Sequence, residues 1–463
     1  MSGGQSPIGR VQPARRIAFE VITAVRESDA YANLLLPVKL QRARLSSQDA
    51  AFATELSYGT LRRQGYYDAV IEIAAGRPID SIDAPVLDVL RLGAHQLLSM
   101  RVASHAAVDE CVSLAREVAS RSASGFVNAV LRTITRSTVE EWEHRVLSSA
   151  QGEDERLSVE HSHPLWIVRA FRQALAAEGR ADELVDLLSA DNAAPRVSLV
   201  ALPGLAEIAE LDGAHPASYS PEGATIDGGD PAGFAAVREG RARVQDEGSQ
   251  LAALALSRVR PIQSGERWLD LCAGPGGKAA LLAAEAIAGG ATLVANEVAP
   301  ARAKLVQKAL AVFADPPQVL VQDGVELGDR FASQFDRILL DAPCTGLGAL
   351  RRRPEARWRK RPADVAELST LQSSLLNSAL GALKPGGILA YVTCSPHLGE
   401  TRGVVADALV RAGDSVTRLD TAAVLREITT HPLELPETGG HVQLWPHRHG
   451  TDAMFICLLQ KHA

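Results

Sequence analysis

The sequence predicts a multidomain protein in which an all-α region and a small α+β module precede an α/β domain with a doubly wound sheet. Three observations support this fold class. The chain has 463 residues, which is too long for one ordinary domain. Apolar residues recur at helical spacing through the first third of the chain. From Val244 onward, short apolar strands alternate with amphipathic helices.

The N-terminal region, residues 14–145, shows helical periodicity and no alternation with period two. Ile17, Val21, Ile22 and Val25 lie on one face of a first predicted helix, with charged residues on the others. Further helical segments are predicted over residues 48–63, 66–75, 84–100, 106–119 and 125–135. Residues 1–13 are rich in Gly, Ser, Gln and Pro, and we predict a disordered lead there.

The middle region, residues 146–243, begins at a polar stretch over 148–155, which we interpret as a domain boundary. Helical patterns resume over 163–177 and 181–191. A β-rich segment, 196–201, follows Pro195, and the residues beyond it are dense in Gly, Pro and Asp. These features predict a helical linker followed by a small α+β module.

The C-terminal region, residues 244–463, alternates between strands and helices. Strands are predicted over 268–271, 292–295, 319–321, 337–340 and 387–392, and helices over 279–287, 301–312 and 368–383. Because a helix separates successive strands, we expect parallel pairing and helices on both faces of the sheet.

The composition excludes several classes of protein. No apolar run approaches the ~18 residues of a membrane span, and the polar N-terminus does not resemble an export signal, so we expect a cytoplasmic protein. The five cysteines are widely spaced, so neither a zinc site nor a disulfide framework is expected. A formal net charge of −7 means that a nucleic-acid partner would have to be held by local basic patches.

A glycine-rich turn follows the first strand of the C-terminal region, in the sequence Asp270-Leu-Cys-Ala-Gly-Pro-Gly-Gly-Lys278. Glycines let the backbone bend sharply and approach a ligand closely, and amides at the start of the next helix can face the ligand. Glu297 follows the next strand, where a carboxylate can hold ribose hydroxyls, and Asp323 follows the third, near an adenine amino group. These features predict a nucleoside-bearing cofactor. The candidate residues in the turn are Cys272, Ala273, Gly274, Pro275, Gly276, Gly277 and Lys278.

Two cysteines lie at strand ends beside this turn. Cys344 follows the fourth strand in Asp341-Ala-Pro-Cys, and Cys394 follows the fifth in Thr-Cys-Ser. Neighbouring strands of such a sheet can lie side by side, so we expect both thiols in one crevice. The remaining cysteines, Cys111, Cys457 and Cys272, are interpreted as small packing residues.

Two thiols beside a nucleoside cofactor suit methylation of a cytosine at carbon 5. That carbon becomes nucleophilic only after a thiolate adds to carbon 6, and the later proton loss and thiol expulsion need a second polar group. Asp341 could stabilise the charge that develops during addition. Amino-group methyltransferases need no thiol and usually carry Asn/Asp-Pro-Pro-aromatic where this chain has Asp341-Ala-Pro-Cys344. The chemistry alone does not choose which cysteine is the nucleophile.

The order of these motifs resembles the RsmB/Sun family of bacterial ribosomal RNA (cytosine-5) methyltransferases. The helical region is similar to a NusB-like RNA-binding domain, through AAFATELSYGT from Ala50 and FVNAVLR from Phe126. The phrases that match in the C-terminal region are VQDEGSQ from Val244, DLCAGPGGK from Asp270, DAPCTGLG from Asp341, RRRPEARWR from Arg351, KPGG from Lys384, YVTCS from Tyr391 and LWPHRHGTDAMF from Leu444.

The resemblance implies a Rossmann-like domain that uses S-adenosyl-L-methionine and acts on small-subunit ribosomal RNA. It implies that Cys394 is the nucleophile and that Cys344 serves product release. The turn 272–278 with Glu297, Asp323 and Asp341 would line the cofactor pocket. Two residues depart from the family's commoner ones: Glu297 replaces an Asp and Gly274 replaces an Ala. We expect an RNA-binding middle module and a monomer, with neither a metal nor a membrane partner.

A basic stretch after Cys344 is the candidate surface for RNA phosphates, with Trp358 able to stack or pack. Its candidate residues are Arg351, Arg352, Arg353, Arg357 and Trp358. Two alternatives stay open at this point: a transfer RNA substrate with the same chemistry, and a non-catalytic RNA-binding factor built on the helical region. Retention of both cysteines argues against the second.

Overall fold

The computed structural model describes residues 11–28, 30–436 and 439–462, which form two compact units. The first unit contains residues up to Arg172 together with Asp182–Ala193 and Leu350–Arg359. The second contains Gln173–Ala181, Ala194–Ala349 and the residues from Lys360 onward. Across the described ranges, none of the helices combines the length and the apolar character of a membrane span.

The first unit is all-helical, as predicted. The helices up to residue 192 are α1 (Pro13–Glu27), α2 (Ala32–Ala43), α3 (Ser47–Arg62), α4 (Gln64–Ala75), α5 (Ala84–Leu98), α6 (Ser104–Val118), α7 (Arg121–Ile134), α8 (Val139–Leu147), α9 (Glu153–Glu160), α10 (Leu165–Ala176) and α11 (Leu184–Asn192). The helices predicted at α1 and from α3 to α7 are confirmed. Short 3₁₀ turns add Ile79–Ser81 and Ala181–Glu183.

Local chemistry explains why some helices were predictable and others were not. Helix α2 was not predicted, because Pro37 lies inside it and Leu34 and Val38 on its surface are exposed. Helix α8 starts with a capping box in which Thr138 and Glu141 satisfy each other's backbone amides. The capped helix buries Trp142, whose indole N–H donates to the Ile134 carbonyl at 2.9 Å.

The structure bears on two predicted boundaries. Residues 1–10 of the predicted lead lie outside the described residues, whereas Val11 is buried in the helical core and α1 begins at Pro13. The polar stretch at 148–155, where we predict a domain border, lies within the first compact unit. It leads into α9, which buries Leu157, and the helical unit continues to Arg172.

The predicted α+β module contains an antiparallel four-stranded sheet in the order β2-β3-β1-β4. Its elements are β1 (Val197–Ala201), β2 (His215–Pro216), β3 (Gly223–Ile226), α12 (Ala235–Arg238) and β4 (Ala242–Val244). Leu199, Ala201, Ala224 and Ile226 form its apolar core. The predicted strand at 196–201 is confirmed as β1, and the sheet belongs to the second unit.

The rest of the second unit is built on a large sheet in the order β10-β12-β9-β8-β5-β6-β7, with β11 beside β12. The elements are α13 (Glu247–Arg258), β5 (Arg267–Asp270), α14 (Gly277–Ala288), β6 (Thr292–Asn296), α15 (Pro300–Leu310), β7 (Gln318–Leu320), α16 (Leu327–Arg330), β8 (Phe335–Asp341), α17 (Ala356–Arg359), α18 (Pro362–Ala382), β9 (Leu383–Thr393), α19 (Arg402–Ala412), β10 (Val416–Arg418), α20 (Thr421–Ile428), β11 (Val442–Gln443), α21 (Pro446–His449) and β12 (Phe455–Lys461). Of these, α17 lies in the segment that belongs to the first unit.

The sheet is covered on both faces, as predicted for a doubly wound fold. Alternate residues of β8 enter different cores: Leu339 packs with α13 and α14, whereas Ile338 and Leu340 pack with α18 and α19. Strands β5 to β9 pair in parallel, which confirms that prediction. The last long strand, β12, runs antiparallel to both β9 and β10. It was not predicted, because an antiparallel strand need not follow a crossover helix and so lacks the strand–helix alternation used for the prediction.

Candidate active site

The glycine turn and the two cysteine loops follow three neighbouring strands and lie at one edge of the sheet. Parallel β5 lies beside β8, and β8 lies beside β9. Asp270 pairs in register with Leu339, and Asp341 with Val392. The glycine turn after β5, the loop after β8 and the loop after β9 therefore begin side by side.

The glycine turn is shaped by its backbone. Gly276 has φ +107° at the start of α14, and a Cβ there would lie 2.6 Å from the Cβ of Ala309. No side chain caps α14, so the amides of its first turn are available to a ligand. Beside Gly277 lies the side-chain amide of Gln245, which is buried and has no hydrogen-bond partner. The turn can therefore offer polar groups to a bound molecule.

The two departures from the family's commoner residues occur at one contact. The Gly274 N–H donates to Glu297 Oε2 at 3.1 Å, and a Cβ on residue 274 would overlap that same oxygen. Glu297 is buried, and its Oε1 accepts from the Ala299 N–H at 3.0 Å. The Glu297 side chain thus occupies the space that a Cβ on residue 274 would need.

The other acidic side chains are placed differently. Asp323 is exposed after β7 and accepts from the Val325 N–H at 2.9 Å. Asp341 forms an ion pair with Lys278, with 2.9 Å between Oδ2 and Nζ. Asp270 is buried at the end of β5. Burial, reinforced by the charge of Asp341, raises its pKa to about 8, although the Lys278 ammonium opposes the shift.

The two predicted thiols meet. Sγ of Cys344 and Sγ of Cys394 are 3.5 Å apart, although the residues are fifty positions apart in the chain. The two strand ends therefore bring the thiols together, as expected from the sequence. The loops are joined further by Gly348, whose N–H donates to the Cys394 carbonyl and whose carbonyl accepts from the Ala453 N–H.

The charged and hydrogen-bonding groups around the two sulfurs differ. The hydrogen bond with Cys394 raises the pKa of Cys344 well above its ordinary value, and burial and the negative charges of Cys394, Glu400 and Asp341 add to the shift. The ammonium group of Lys278 interacts with Cys394. Burial lowers the pKa of Lys278, but Asp341 and Cys394 outweigh burial and raise it overall, so Lys278 stays charged. The arrangement favours a protonated Cys344 and places a positive charge beside Cys394.

Glu400, which sequence reasoning missed, lies between the two cysteine loops. It is fully buried in the short turn Leu398–Glu400, after β9. Its carboxylate accepts hydrogen bonds from the Thr345 N–H at 2.7 Å, from the Ser395 hydroxyl at 2.6 Å and from the Thr345 hydroxyl. The only sequence signal was an acidic residue shortly after the Thr-Cys-Ser phrase, which does not distinguish a buried carboxylate from a solvated one.

The other cysteines pack, as predicted. Cys111 lies in the helical core and Cys457 in the core below β12, and burial raises the pKa of each to about 12. Cys272 packs against the same core as Cys457, and burial raises its pKa as well. None of these three thiols shares the surroundings of the pair at β8 and β9.

The basic segment divides into buried and exposed residues within the first unit. The Arg357 guanidinium is fully buried, and it donates to the carbonyl oxygens of Arg62 and Ser162 and to the Asn192 side chain. It therefore has no surface for a phosphate, and the expected RNA contact of this residue is wrong. Arg351 is nearly buried as well.

The remaining candidates of this segment are accessible. Arg353 is exposed and its guanidinium lies over the ring of Tyr31, 5.3 Å from the centroid. Arg352 is half-buried, and Trp358 is exposed at one edge while its ring packs over Gly65. Arg352, Arg353 and Trp358 remain the residues of the predicted phosphate surface that solvent can reach.

Family models match two parts of the chain. Residues 258–460 match the model described as 16S rRNA methyltransferase RsmB/F, and residues 12–136 match the NusB family. The ribosomal RNA small subunit methyltransferase B of Pseudomonas putida is 31% identical over 92% of this chain and 96% of its own length. A Mycobacterium tuberculosis protein whose name assigns it only as a methyltransferase is 48% identical over 97% of both chains.

Solved structures share the fold. The crystal structure of PH0851 has a TM-score of 0.79 and 23% identity, and the match covers 98% of this chain and 99% of that one. A methyltransferase homologue from Pyrococcus horikoshii has a TM-score of 0.52 and 21% identity over 66% of this chain and 97% of that one. Full-length relatives above 30% identity, together with both family models, show that this chain belongs to the RsmB/F family of 16S rRNA methyltransferases and carries a NusB-family N-terminal domain.

Proposed function

We propose that this protein transfers a methyl group from S-adenosyl-L-methionine to carbon 5 of a cytosine in 16S ribosomal RNA, through a covalent adduct with Cys394. The observation that carries the proposal is the meeting of Cys344 and Cys394, with 3.5 Å between their sulfurs, at the sheet edge that also bears the glycine turn. A methyltransferase acting on an amino group would have no use for this pair of thiols.

The residues at this edge fit S-adenosyl-L-methionine, which supplies a methyl group activated by a sulfonium centre. The turn 272–278 would hold the amino-acid part with the uncapped amides of α14 and the buried amide of Gln245. Glu297 and Asp323 would face the ribose and the adenine, and Asp341 would close the pocket beside Lys278.

Cys394 acts as the nucleophile. Its thiolate adds to carbon 6 of the cytosine, which makes carbon 5 reactive toward the methyl group. The ammonium of Lys278 stabilises the negative charge on this sulfur before addition. Asp341, oriented by its ion pair with Lys278, accepts a hydrogen bond from the ring's amino group or protonated nitrogen while the adduct forms.

Cys344 serves the end of the reaction. After methylation, a water molecule takes the proton from carbon 5, the electron pair of that C–H bond forms the double bond between carbons 5 and 6, and the bond between carbon 6 and the Cys394 sulfur breaks to release the thiolate. The Cys344 sulfur lies beside the sulfur that departs, and its raised pKa keeps it protonated at neutral pH. A thiol held in this state can donate a hydrogen bond to the departing thiolate.

Accessible basic residues bind the ribosomal RNA. Arg352 and Arg353 contact phosphates, and Trp358 offers an aromatic edge to the RNA. The helical domain and the β1–β4 module add further RNA-binding surface. A ribosomal substrate places the reaction in the bacterial cytoplasm, and we propose that the protein works there as a monomer.

The test is methyl transfer from labelled S-adenosyl-L-methionine by the full-length protein, with deproteinised 16S ribosomal RNA, small ribosomal subunits and bulk transfer RNA as parallel substrates. We expect 5-methylcytosine at one ribosomal position, located by bisulfite sequencing. Modification of transfer RNA alone would refute the substrate, and methylation of an amino group would refute the chemistry. Binding of RNA without methyl transfer would instead support the non-catalytic factor.

A further inference from the structure

The link between the two cysteine loops passes through one side chain. Thr345 directly follows Cys344, and Ser395 directly follows Cys394. Both donate hydrogen bonds to the carboxylate of Glu400, and the two hydroxyl groups are also 3.2 Å from each other. The residue after each thiol is therefore held by the same buried group.

The position of Glu400 is itself fixed. The Tyr391 hydroxyl donates to the Glu400 carbonyl at 2.7 Å, and the Gln372 side chain donates to the Pro343 carbonyl at 2.8 Å and to Glu400 Oε1 at 3.3 Å. The buried carboxylate thus has several donors, as a charge removed from water requires. These contacts lie in the two loops that carry the thiols and not in the glycine turn.

We infer that Glu400 is a positioning residue that sets the separation and the orientation of the Cys344 and Cys394 thiols by tying the residue after each to one carboxylate. This inference deepens the proposed function, on which its catalytic consequence rests. Addition to carbon 6 and later expulsion require both sulfurs at the same pair of ring carbons, and a displacement of about 1 Å can lower a rate about 100-fold.

Glu400 also acts through its charge. It is one of the groups that raise the pKa of Cys344, after the hydrogen bond with Cys394, burial and the Cys394 charge. The other titratable groups that face Cys344 are Asp341 and Tyr391. Removing the Glu400 charge, while leaving these groups in place, lowers the pKa of Cys344.

Two variants separate position from charge. Glu400→Ala removes the link between the loops, and Glu400→Gln keeps the shape of the side chain but removes its charge. Glu367→Gln, at an exposed position of α18, is the matched control. Near-ultraviolet circular dichroism and thermal melting establish which variants are folded.

The first experiment needs no RNA, so it stands even if the proposed reaction is wrong. The full-length protein is treated with a short bifunctional thiol reagent, and bridged Cys344–Cys394 peptides are measured by mass spectrometry. We expect bridging in the wild type and the control, and a loss of at least about fivefold in folded Glu400→Ala. Alkylation of Cys344 in Glu400→Gln should shift to lower pH than in the wild type and the control.

The second experiment measures methyl transfer. We expect kcat to fall about 100-fold in Glu400→Ala and about 10-fold in Glu400→Gln, with the KM for S-adenosyl-L-methionine unchanged. If Glu400→Ala does not fold, the alkylation profile and the kcat of Glu400→Gln test the inference. The inference would be overturned if a folded Glu400 variant kept the bridging, the alkylation profile and the kcat of the wild type. A wild-type protein that makes no 5-methylcytosine would overturn only the proposed function.

Discussion

Three loops at the same edge of the sheet are shaped by two different means. The glycine turn after β5 is determined by backbone conformation: Gly276 has a positive φ and Gly274 leaves room for Glu297. The loops after β8 and β9 contain reactive side chains, and the carboxylate of Glu400, which lies in the loop after β9, holds the residue that follows each thiol. A turn determined by its own backbone is disturbed by substitution within itself, whereas the loop after β8 can be disturbed by a substitution at Glu400 in the neighbouring loop.

The largest effect is expected at the nucleophile. Cys394→Ala should lower methyl transfer by about 10⁴-fold or more, because the proposed adduct forms through the sulfur of Cys394. Cys111→Ala, at a buried packing cysteine of the helical core, is the control and should leave the rate within about twofold. The measurement is single-turnover incorporation of labelled methyl groups. Normal turnover by Cys394→Ala would show that the two thiols have been assigned in the wrong order.

Cys344→Ala should affect the last steps more than the first. We expect turnover to fall by about 100-fold or more, as for loss of a group that transfers or donates a proton, while a covalent protein–RNA species accumulates. This species should survive denaturing electrophoresis and disappear in the Cys344→Ala, Cys394→Ala double variant. Absence of the adduct in the single variant under turnover conditions would contradict the release role.

Substitution within the glycine turn should weaken cofactor binding, because an added side chain overlaps a neighbouring atom. Gly274→Ala places a Cβ on Glu297 Oε2 and should weaken binding of S-adenosyl-L-methionine by about 10-fold, or ~1.4 kcal/mol. Glu297→Asp in the same chain should restore most of the affinity, since a shorter side chain frees that space. Calorimetric titration of the two single variants and the double variant measures the coupling. Additive effects of the two substitutions would contradict steric compensation.

The smallest effect concerns the pH dependence of stability near the turn. The pKa of Asp270 is raised to about 8 in the folded protein and is near 3.9 when unfolded. Between these values the folded state holds a proton that the unfolded state lacks. The contribution of Asp270 to the free energy of unfolding is therefore fully present below about pH 4. It is lost as the pH rises through about 8, by at most ~1.4 kcal/mol per pH unit.

Asp270→Asn should accordingly gain stability relative to the wild type as the pH rises, by about 1 kcal/mol between pH 6 and pH 7. Denaturant unfolding of the protein without added cofactor measures the difference, with Asp315→Asn at an exposed site as the control. A difference between Asp270→Asn and wild type that stays constant with pH would show that Asp270 is ionised in the folded protein.

The sequence by itself determined the elements whose signals are local. Helical spacing, glycine turns and apolar strands predicted the parallel core of the sheet, and strand ends predicted that Cys344 and Cys394 would meet. Those inferences succeed because periodicity and turn chemistry depend on neighbouring residues. They also locate Cys111 and Cys457 in packed cores.

The tertiary structure alone decided which polar residues are buried and what they contact. An arginine in a basic run looks solvated, yet Arg357 holds its segment in the helical unit through carbonyl groups of Arg62 and Ser162. Glu400 looks like any loop acid, yet it joins two loops through Thr345 and Ser395. A buried charge is stable only where donors from separate segments converge on it, and that convergence is created by folding.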